Sequence, residues 1–506
     1  MTTFTVNNTN DSGLGSLRQA IADANAAIGL DTIEFDNNLS GQEIILTSGE
    51  LQITDDLTIN GLGSDFLTIS GNNADRVFLV DDEHGSNQIN VTFDGLTIIE
   101  GTNDDGAAIA NSENLTVINS DISNNVGAVI SSEFGNLTVI NSDISDNIGV
   151  GITFAASSVA VSNSRISNNA DWGIEGYDGS WEITNSTISA NGSGGINLGT
   201  TSLIMTGSVI ANNTGTGIRG SRVNLEIDNS LISGNTTTGD GGGIAGGSVA
   251  FDGTITNSQI INNIADSDGD GNGDGGGFKL YIGGGSVEFT NTIIAGNFDN
   301  SPAGYEQHPD LSGPGFSSGG NNFVGDITGV RDLNPQISYN PFTAQGDLFG
   351  TSENPLDLAE FIEGNGLRIE AEDYVNYSDM TDGNTGGAYR NDDVDLEVTT
   401  DIGGGFNVGY IEEGEWLTYN VDIPEPGLYQ VVARVASNTT DGRVHNLDIS
   451  LDGESTSLGF DATGGWQSWT DVIGDNFSLS AGNYELRLDM GSCGFNINYI
   501  DLIPIV

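Results

Sequence analysis

The chain has 506 residues, which is too long for a single ordinary hydrophobic core. Its 71 acidic residues against 12 Lys and Arg give a net charge of −59, which excludes nucleic acid and anionic membranes as partners, since both need basic patches. The single cysteine, Cys493, excludes an intramolecular disulfide, and no apolar run approaches the length of a membrane span. We expect a monomer in an ion-rich extracellular setting, where calcium would offset part of the charge. Acidity that only keeps a long protein soluble is the alternative.

The chain begins without an obvious export signal. Residues Met1 to Val6 contain neither a basic nor an apolar segment, so no classical signal peptide is visible. An extracellular or cell-surface location is therefore expected from the type of domain alone.

The first predicted element is a short amphipathic helix over residues 16–25. Ser16 and Gln19 have the spacing of a capping box. One apolar face is predicted to consist of Leu17, Ala20, Ile21 and Ala24. Such a helix could cover the open end of a stack of strands.

A repeat of 22 residues dominates the middle of the chain. Three columns follow this step: Asn119, Asn141, Asn163, Asn185, then Gly207 and Asn229; Asn125, Asn147, Asn169, Asn191, Asn213 and Asn235; and Ile122, Ile144, Ile166, Ile188, Ile210 and Ile232. A unit of this length is too short for two helices and a turn, but it suits one coil of three short strands. Coils stacked about 4.8 Å apart would bury the apolar columns and turn the asparagines into amide ladders at the corners.

The regular step lengthens twice. It is 28 residues from Asn235 to Asn263 and 34 from Asn263 to Asn297, and the extra residues precede Gly241 and Gly275. Loops that grow on one side of consecutive coils predict the wall of a groove.

The opening segment Phe4–Ile21 and the later Gly-Gly-Gly-Ile coils resemble bacterial surface and secreted β-helix proteins of the pectate-lyase-like superfamily. The resemblance covers residues 1–345 and implies a right-handed parallel β-helix. It assigns no activity, because this architecture serves lyases, hydrolases, epimerases and adhesins alike.

Outward-facing positions on this β-helix supply candidate catalytic residues. Glu175, Arg219 and Lys279, the only lysine, fall in one predicted outward column, with aromatic residues beside it. A polysaccharide lyase would need a base beside a uronate carboxylate and a cation to stabilise the developing charge, and Lys279 or Arg219 could serve. Outward columns that are simply solvated are the alternative.

Two aspartates form a second candidate pair. Asp240 and Asp274 each precede a Gly-Gly-Gly corner in neighbouring coils, which would place their carboxylates about 5 Å apart. That spacing suits a retaining glycosidase, and it suits calcium or a purely structural role equally well.

One loop has the start of a calcium-binding sequence. Asp266, Asp268 and Asp270 precede a glycine in the Asp-x-Asp-x-Asp-Gly pattern. Position twelve is Gly277 instead of a bidentate glutamate, so any calcium site here is expected to be weak.

After about residue 345 the repeat stops. A linker over 346–365 is followed by longer strands separated by turns, which predicts an antiparallel β-sandwich of the jelly-roll type over 366–506. The whole chain is therefore predicted to be all-β. Ordered motifs in the second domain are Ile369–Tyr374, Gly387–Arg390, Asn407–Ile411, Gly414–Trp416, Gly464–Trp469 and Phe495–Asp501.

These motifs resemble the family 6 carbohydrate-binding module along its whole length. The resemblance implies that Tyr410 and Trp466 sandwich a sugar ring, whose C–H faces stack on aromatic planes, with Asn496 alongside. Trp416 and Trp469 are expected in the core, since their motifs place them inside strands.

The same resemblance implies a structural calcium ion in the module. Its ligands would be Glu370, Glu372 and Asp501, from both ends of the module sequence.

Together these features predict a polysaccharide-binding protein, and a hydrolase or lyase in which the β-helix cuts the glycan held by the module. The alternative is a non-catalytic surface or matrix adhesin that uses the β-helix as a rigid spacer.

Overall fold

The computed structural model describes residues 2–64, 66–83, 88–283, 285–302, 305, 307–330, 340–351, 356, 367–380, 383–390, 392–401, 405–424, 427–439, 444–460 and 462–505. The chain divides into two compact units, residues 1–356 and 357–506. Most of the predicted linker lies outside the described residues. Its strand Leu348–Phe349, however, pairs with Phe323–Val324 and so continues the first unit. Among the described residues, no helix is long and apolar enough to cross a membrane.

The first unit is a parallel β-helix, as predicted. Its coils stack three ladders of parallel strands, and two long strands, Gly194–Thr206 and Ile218–Asp228, run through both the first and the second ladder. The other strands of the first ladder are Leu51–Ile53, Phe78–Val80, Ile109–Asn111, Ile130–Glu133, Ile152–Ala155, Trp172–Tyr177, Ile244–Gly246, Phe278–Leu280, Leu311–Gly313 and Gly329–Val330.

The second and third ladders complete each coil. The other strands of the second ladder are Thr3–Val6, Asp31–Phe35, Leu57–Asn60, Asn90–Asp94, Asn114–Ile118, Asn136–Ile140, Ser158–Ser162, Ser180–Thr184, Asp252–Thr256, Val287–Thr290 and Phe316–Gly320. The third ladder contains Gln42–Ile45, Leu67–Ser70, Thr97–Ile99, Asp121–Ser123, Asp143–Ser145, Arg165–Ser167, Thr187–Ser189, Val209–Ala211, Leu231–Ser233, Gln259–Ile261, Ile293–Ala295, Phe323–Val324 and Leu348–Phe349. A further pair, Ile264–Ala265 and Phe298–Asp299, lies in the expanded coils, and Asn37–Leu39 is a short 3-10 helix.

The predicted helix caps the stack. It spans Leu17–Ala26, and Ser16 Oγ accepts a hydrogen bond of 3.2 Å from the backbone N–H of Gln19. The buried residues of the helix are the four predicted ones, Leu17, Ala20, Ile21 and Ala24. The helix packs against Thr3–Val6, Asp31–Phe35 and Leu51–Ile53, and so covers the first coils.

One predicted asparagine column forms a buried amide ladder. Asn191, for example, donates from Nδ2 to Asn213 Oδ1 at 3.0 Å, and its own Oδ1 accepts from Asn169 Nδ2 at 3.0 Å. The same bond links successive members from Asn125 through Asn297. The isoleucine column lies beside this ladder, with every member from Ile122 to Ile232 buried in register.

An aspartate terminates the amide ladder. Asn297 Nδ2 donates to Asp310 Oδ1 at 2.9 Å, while Asp310 Oδ2 accepts from the backbone N–H of Asp326 at 2.7 Å. Asp310 is buried, and this burial raises its pKa to about 7 despite the hydrogen bonds it accepts.

The other asparagine column has a different role from the one predicted. Asn119, Asn141, Asn163 and Asn185 have φ between 47° and 49°, and Gly207 takes the same position with φ 58°. Asparagine and glycine tolerate this left-handed conformation better than other residues. The column therefore shapes a corner. Asn141 Nδ2 donates to Asn119 Oδ1 at the long distance of 3.5 Å.

The second unit is an antiparallel sandwich of two sheets, as predicted. Leu367–Glu370, Leu396–Val398, Phe406–Val408, Gly427–Ala436, Thr470–Leu479 and Asn496–Ile505 form one sheet. The other contains Asn376–Ser378, Trp416–Ile423, His445–Leu451, Glu454–Phe460 and Gly482–Met490, and a short 3-10 helix spans Ala371–Asp373. Buried aliphatic and aromatic side chains from both sheets form a core of their own.

Candidate functional site

The predicted outward column exists on the first ladder. Strand pairing places its members side by side in successive coils in the order Thr153, Glu175, Asn197, Arg219, Ala245, Lys279 and Ser312. Because neighbouring strands lie about 4.8 Å apart, this column runs along the axis of the β-helix as one continuous row.

Asp274 accepts hydrogen bonds from three side chains of its own coil and the next. Its Oδ2 accepts from Lys279 Nζ and, at 2.7 Å, from Ser312 Oγ, and its Oδ1 lies 2.7 Å from His308 Nδ1. Burial opposes ionisation of Asp274, but these hydrogen bonds outweigh it and hold its pKa below the usual range. Asp274 is therefore an anion that is held firmly in place.

Asp240 lies one coil before Asp274 and has a different environment. The backbone N–H of Gly241 donates to the Asp274 carbonyl at 2.9 Å, which confirms that the two aspartates occupy adjacent coils. Asp240 Oδ2 accepts a hydrogen bond from the Tyr281 hydroxyl. Burial raises the pKa of Asp240, and burial together with this hydrogen bond raises the pKa of Tyr281. The two aspartates thus have pKa values shifted in opposite directions, as an acid–base pair requires.

We call Asp240, Asp274, Lys279, Tyr281, His308 and Ser312 the charged cluster. Arg219 and Glu175 lie at increasing distances from it. Arg219 is exposed, two coils from Lys279, and its positive charge opposes the upward shift of the Tyr281 pKa. Glu175 is four coils from Lys279, or about 19 Å, and its Oε1 accepts from Asn197 Nδ2 at 2.8 Å. Glu175, predicted as a catalytic candidate, therefore cannot act on the same bond as Lys279.

Two members of the charged cluster, His308 and Ser312, were not predicted from the sequence. Both come from the coil that follows the last regular asparagine, where the repeat no longer fixes positions. The Lys279 Nζ to Ser312 Oγ distance is 2.9 Å. The only sequence signal for His308 was the rarity of histidine, with three in the chain.

Three groups of ligand atoms among the described residues are close enough to share a cation. They are Asp274, Asp299 and His308; Asp81, Asp82 and Glu113; and Asp266, Asp268 and Asp270. In the predicted calcium loop, buried Asp266 accepts from the backbone N–H groups of Asp270 and Gly271 at 3.0 and 2.9 Å. Its oxygens already have donors, so the loop closes on itself and its calcium binding stays a prediction.

The three predicted sugar-binding residues of the module lie together. Tyr410 and Trp466 are 55% and 44% exposed, so both offer ring surface to a ligand, whereas Asn496 is buried. Asn496 Nδ2 donates to the Trp466 carbonyl at 2.8 Å. A Cβ built on Gly409, the residue before Tyr410, would lie 3.2 Å from Asn496 Oδ1. The buried amide therefore contacts the backbone of Trp466 and lies next to the residue that precedes Tyr410.

A polar network below these rings was not predicted. Glu397 Oε1 accepts from Asn496 Nδ2 at 2.7 Å and from Gln467 Nε2 and Asn407 Nδ2, both at 3.3 Å. Gln467 Nε2 also donates to Asn407 Oδ1 at 3.1 Å. The network fixes the orientation of the Asn496 amide. Glu397 belongs to none of the sequence motifs, and it is the fold that places it next to Asn496.

The predicted calcium ligands of the module have unequal environments. Glu372 is buried, its Oε1 accepts from the backbone N–H of Phe406 at 3.2 Å, and its Oε2 has no partner among the described residues. Burial raises the pKa of Glu370 and Glu372, and the charge of Glu372 adds to the shift at Glu370. These two carboxylates fit a hard cation. Asp501 instead pairs with Arg368 through bonds of 2.9 and 2.8 Å, so its charge is already neutralised.

The prediction that Trp416 belongs to the core is wrong. Its side chain is half-buried on the outer side of its strand, with the Arg487 guanidinium 4.4 Å from the ring centroid. It lines a surface cavity of about 340 Å³, together with Tyr377 and Glu485. The alternation of the strand directs this ring outward, which the motif alone did not reveal. Trp469 is also only half-buried.

Family models match both units. The model for a right-handed β-helix region matches residues 59–202, and the model for a family 6 carbohydrate-binding module matches residues 387–504.

Similar proteins share parts of the chain. The clotting factor G alpha subunit of Tachypleus tridentatus is 38% identical over 116 residues, and the beta-agarase AgaA of Microbulbifer thermotolerans is 34% identical over 86 residues. These matches span 22% and 17% of this chain, and only 17% and 20% of the two relatives. A carbohydrate-binding module of Cellvibrio mixtus lichenase 5A, solved with cellotriose, is 34% identical, covering 27% of this chain and 95% of that one, with a TM-score of 0.22.

The ladders of parallel strands and the antiparallel sandwich agree with these two family models in chain order. The chain therefore joins a right-handed parallel β-helix to a C-terminal carbohydrate-binding module of family 6.

Proposed function

We propose that this protein binds a polysaccharide through its module and hydrolyses it on the β-helix, at the cell surface or outside the cell. The observation that carries the catalytic part is the pair Asp240 and Asp274. They occupy adjacent coils, and their pKa values are shifted in opposite directions. Their expected separation of about one coil suits a retaining glycosidase.

Sugar binding by the module rests on Tyr410, Trp466 and Asn496. Apolar faces of a pyranose would stack on the two exposed rings, and Asn496 Oδ1 would accept from a hydroxyl.

Affinity electrophoresis of the full chain against laminarin, agarose, xylan and mannan tests this binding. Trp466→Ala should weaken retardation by the bound glycan about tenfold. Tyr389→Ala is the matched control, because this exposed residue donates a hydrogen bond from its hydroxyl to Asp373 Oδ1 at 3.0 Å and is not one of the proposed sugar-binding residues. A Trp466→Ala protein that binds as well as the parent would place the site elsewhere.

The proposed reaction has two steps. Asp240 donates its proton to the glycosidic oxygen, the bond from that oxygen to the anomeric carbon breaks, and the Asp274 carboxylate forms an ester with this carbon. Asp240 then takes a proton from water, whose oxygen displaces Asp274 and leaves a new reducing end. Lys279, His308 and Ser312 position Asp274 for both steps.

A neutral glycan is the expected substrate, because a net charge of −59 repels uronates. A lyase is the second candidate, favoured by two cations: Lys279, whose Nζ lies 5.7 Å from the Tyr281 ring centroid, and Arg219, two coils from Lys279. In a lyase a base removes a ring proton, and the departing chain leaves a double bond without consuming water.

Incubation with neutral and acidic glycans, with and without calcium, separates the alternatives. New reducing ends without absorbance from unsaturated ends indicate hydrolysis, and that absorbance indicates a lyase. No product from a glycan that the protein demonstrably binds would favour the adhesin in which the β-helix is a spacer.

We further propose a structural calcium ion held by Glu370 and Glu372 in the module. An ion that binds only the folded state stabilises it by about 2.7 kcal/mol at a concentration one hundred times its Kd. Chelation should therefore lower the Tm of the parent but not that of Glu372→Gln, measured by calorimetry on the full chain. Equal Tm values for metal-free and calcium-loaded parent protein would contradict this.

A further inference from the structure

A fully buried histidine lies in the carbohydrate-binding module, outside the proposed sugar contacts. The ring of His445 packs against those of Phe460 and Phe495, with centroids 5.3 and 5.6 Å away. An apolar ring would pack as well against two phenylalanines, so packing alone does not explain an imidazole at this position. The feature that remains to be explained is the pair of ring nitrogens.

Both nitrogens of His445 have hydrogen-bond partners. Nδ1 lies 3.1 Å from the Cys493 carbonyl oxygen, which can only accept, so Nδ1 carries a hydrogen and donates it. Nε2 lies 2.7 Å from Ser437 Oγ and 2.9 Å from Thr439 Oγ1. In the neutral ring Nε2 is an acceptor for these hydroxyl groups. His445 therefore joins the segment that contains Ser437 to the segment that contains Cys493.

Ser437 connects His445 to the loop that carries a proposed sugar-binding ring. Ser437 is fully buried, and its carbonyl oxygen accepts from the backbone N–H of Thr463 at 3.0 Å and of Gly465 at 3.1 Å. Its own backbone N–H donates to Thr463 Oγ1 at 2.9 Å. Gly465 directly precedes Trp466. These bonds therefore hold residues 463–466, which we call the Trp466 loop.

The same serine is linked to the other two proposed sugar-binding residues through Gly494. Ser437 Oγ donates to the Gly494 carbonyl oxygen at 2.9 Å, and the backbone N–H of Gly494 donates to the Ile411 carbonyl oxygen at 3.0 Å. Ile411 follows Tyr410, and Gly494 lies two residues before Asn496. One buried side chain thus ties together the three segments from which the site is built.

The histidine controls how the Ser437 hydroxyl is oriented. A hydroxyl has one hydrogen, and that of Ser437 lies within reach of two acceptors, the Gly494 carbonyl oxygen and His445 Nε2. Such a shared hydrogen holds the hydroxyl in one rotamer, with its oxygen between the two acceptors. Without the ring nitrogen, the hydroxyl would lose one of the two partners that define its position.

We propose that His445 and Ser437 are positioning residues for sugar binding in the module. They hold the Trp466 loop in a fixed place relative to Tyr410 and Asn496, and since both are fully buried, neither touches the glycan. A loop that is already ordered loses less conformational freedom on binding, which raises affinity. This inference rests on the proposed function, because it concerns the residues proposed to bind the sugar.

Replacement of the histidine by phenylalanine tests the role of its nitrogens. His445→Phe keeps a ring against Phe460 and Phe495 but removes the imidazole hydrogen bonds. In affinity electrophoresis of the full chain with laminarin, agarose, xylan and mannan, it should weaken retardation by the bound glycan about tenfold. Ser437→Ala should weaken it about fivefold.

A conservative variant and a matched control separate positioning from general stability. His445→Gln places an amide near the Ser437 hydroxyl and should bind within about threefold of the parent. Ile449→Val, a buried change on the same strand as His445, should lower the Tm but leave glycan affinity unchanged. Thermal melts of the full chain identify a variant whose module does not fold. Ser437→Ala, which removes a single oxygen, keeps the test available if His445→Phe is such a variant.

Fluorine NMR of the full chain labelled with fluorotryptophan reports the Trp466 loop directly. The chain has five tryptophans, and Trp466→Phe identifies the Trp466 signal. His445→Phe and Ser437→Ala should shift or broaden this signal, while that of Trp181, buried in the β-helix, stays in place. Ile449→Val should leave both signals unchanged.

The outcomes distinguish failure of the positioning role from failure of the proposed sugar site. Full glycan binding and an unchanged Trp466 signal in both His445→Phe and Ser437→Ala, with binding lost in Trp466→Ala, overturn the positioning role and leave the sugar site intact. An equal loss of affinity in Ile449→Val also overturns it, since instability would then explain the effect. Parental binding by Trp466→Ala overturns the sugar site itself, and the positioning role with it.

Discussion

The regular and the expanded coils of the β-helix share an interior but differ on the outside. Up to Asn235 the step is 22 residues, and the outward rows carry mostly small polar groups. Beyond Asn235 the step rises to 28 and 34 residues, yet Asn263 and Asn297 continue the same amide ladder. The extra residues bring charged and aromatic groups to the outer face. The interior of each coil therefore maintains the fold, while the outer face of the expanded coils holds the charged and aromatic side chains.

Removing one carboxylate from the expanded coils would test this separation most strongly. Asp240→Asn should lower the rate of the proposed glycan hydrolysis about 1,000-fold, because the proposed proton donor is lost, while thermal stability changes little. Reducing-end assays and thermal melts measure the two effects. Asp143→Asn in a regular coil is the control and should retain full rate. A Asp240→Asn protein with parental activity would place the catalytic centre elsewhere.

The opposite pattern is expected in a regular coil. The Asn191 side chain takes part in four buried hydrogen bonds, one each with Asn213 and Ile166 and two with Asn169. Asn191→Ala should therefore lower the free energy of unfolding by about 4 kcal/mol, at about 1 kcal/mol for each bond, without a direct effect on the charged cluster.

Chemical denaturation of Asn191→Ala checks that value, with Asn185→Gly as its control. Asn185 occupies the exposed corner column where Gly207 already shows that glycine fits, so its replacement should change stability by less than about 0.5 kcal/mol. If both substitutions lowered the free energy of unfolding by similar amounts, the buried amide hydrogen bonds would make no special contribution to stability.

A smaller effect is expected where the ladder ends. The folded pKa of Asp310, about 7, lies above its unfolded value of 3.8, so its contribution to stability is complete below about pH 4 and lost as the pH rises through 7. Between about pH 5 and pH 8 the parent should lose roughly 2.5 kcal/mol relative to Asp310→Asn.

Paired denaturation curves of the parent and Asp310→Asn isolate the contribution of Asp310, because all other titratable groups are present in both proteins. A pH-independent difference between the two proteins would mean that Asp310 stays ionised when folded. The three backbone and amide donors around it would then outweigh its burial.

Sequence reasoning succeeded where the physics repeats. The amide ladder and the isoleucine column follow from one side chain recurring at one step, because every coil must meet the same neighbours. The outward row through Glu175, Arg219 and Lys279 was predicted for the same reason, and the strand register confirms it. The repeat could not reveal which of those residues contact one another, since it fixes the row in which a residue lies but not its side-chain contacts.

Contacts between distant segments were not predictable. His308 reaches Asp274 from an irregular coil, and Glu397 reaches Asn496 across 99 residues of sequence. Arg368 pairs with Asp501 across 133 residues, and an Arg two residues before Glu370 carries no signal of that pairing in the sequence. In each case the partner is selected by packing of the whole unit.

The amide ladder also has a direction. Each asparagine of the ladder donates from Nδ2 to the Oδ1 of the asparagine in the next coil toward the C-terminus. Each coil must therefore offer an acceptor to the coil before it and a donor to the coil after it. Asp310 accepts the hydrogen bond from Asn297 Nδ2, but an ionised aspartate has no side-chain donor for the next coil, so the amide ladder ends there. Duplication of a coil in the middle is thus compatible with the ladder, whereas the strands that follow Asp310 continue the stack without it. The distance between Glu175 and Lys279 could therefore grow one coil at a time without rebuilding either end of the amide ladder.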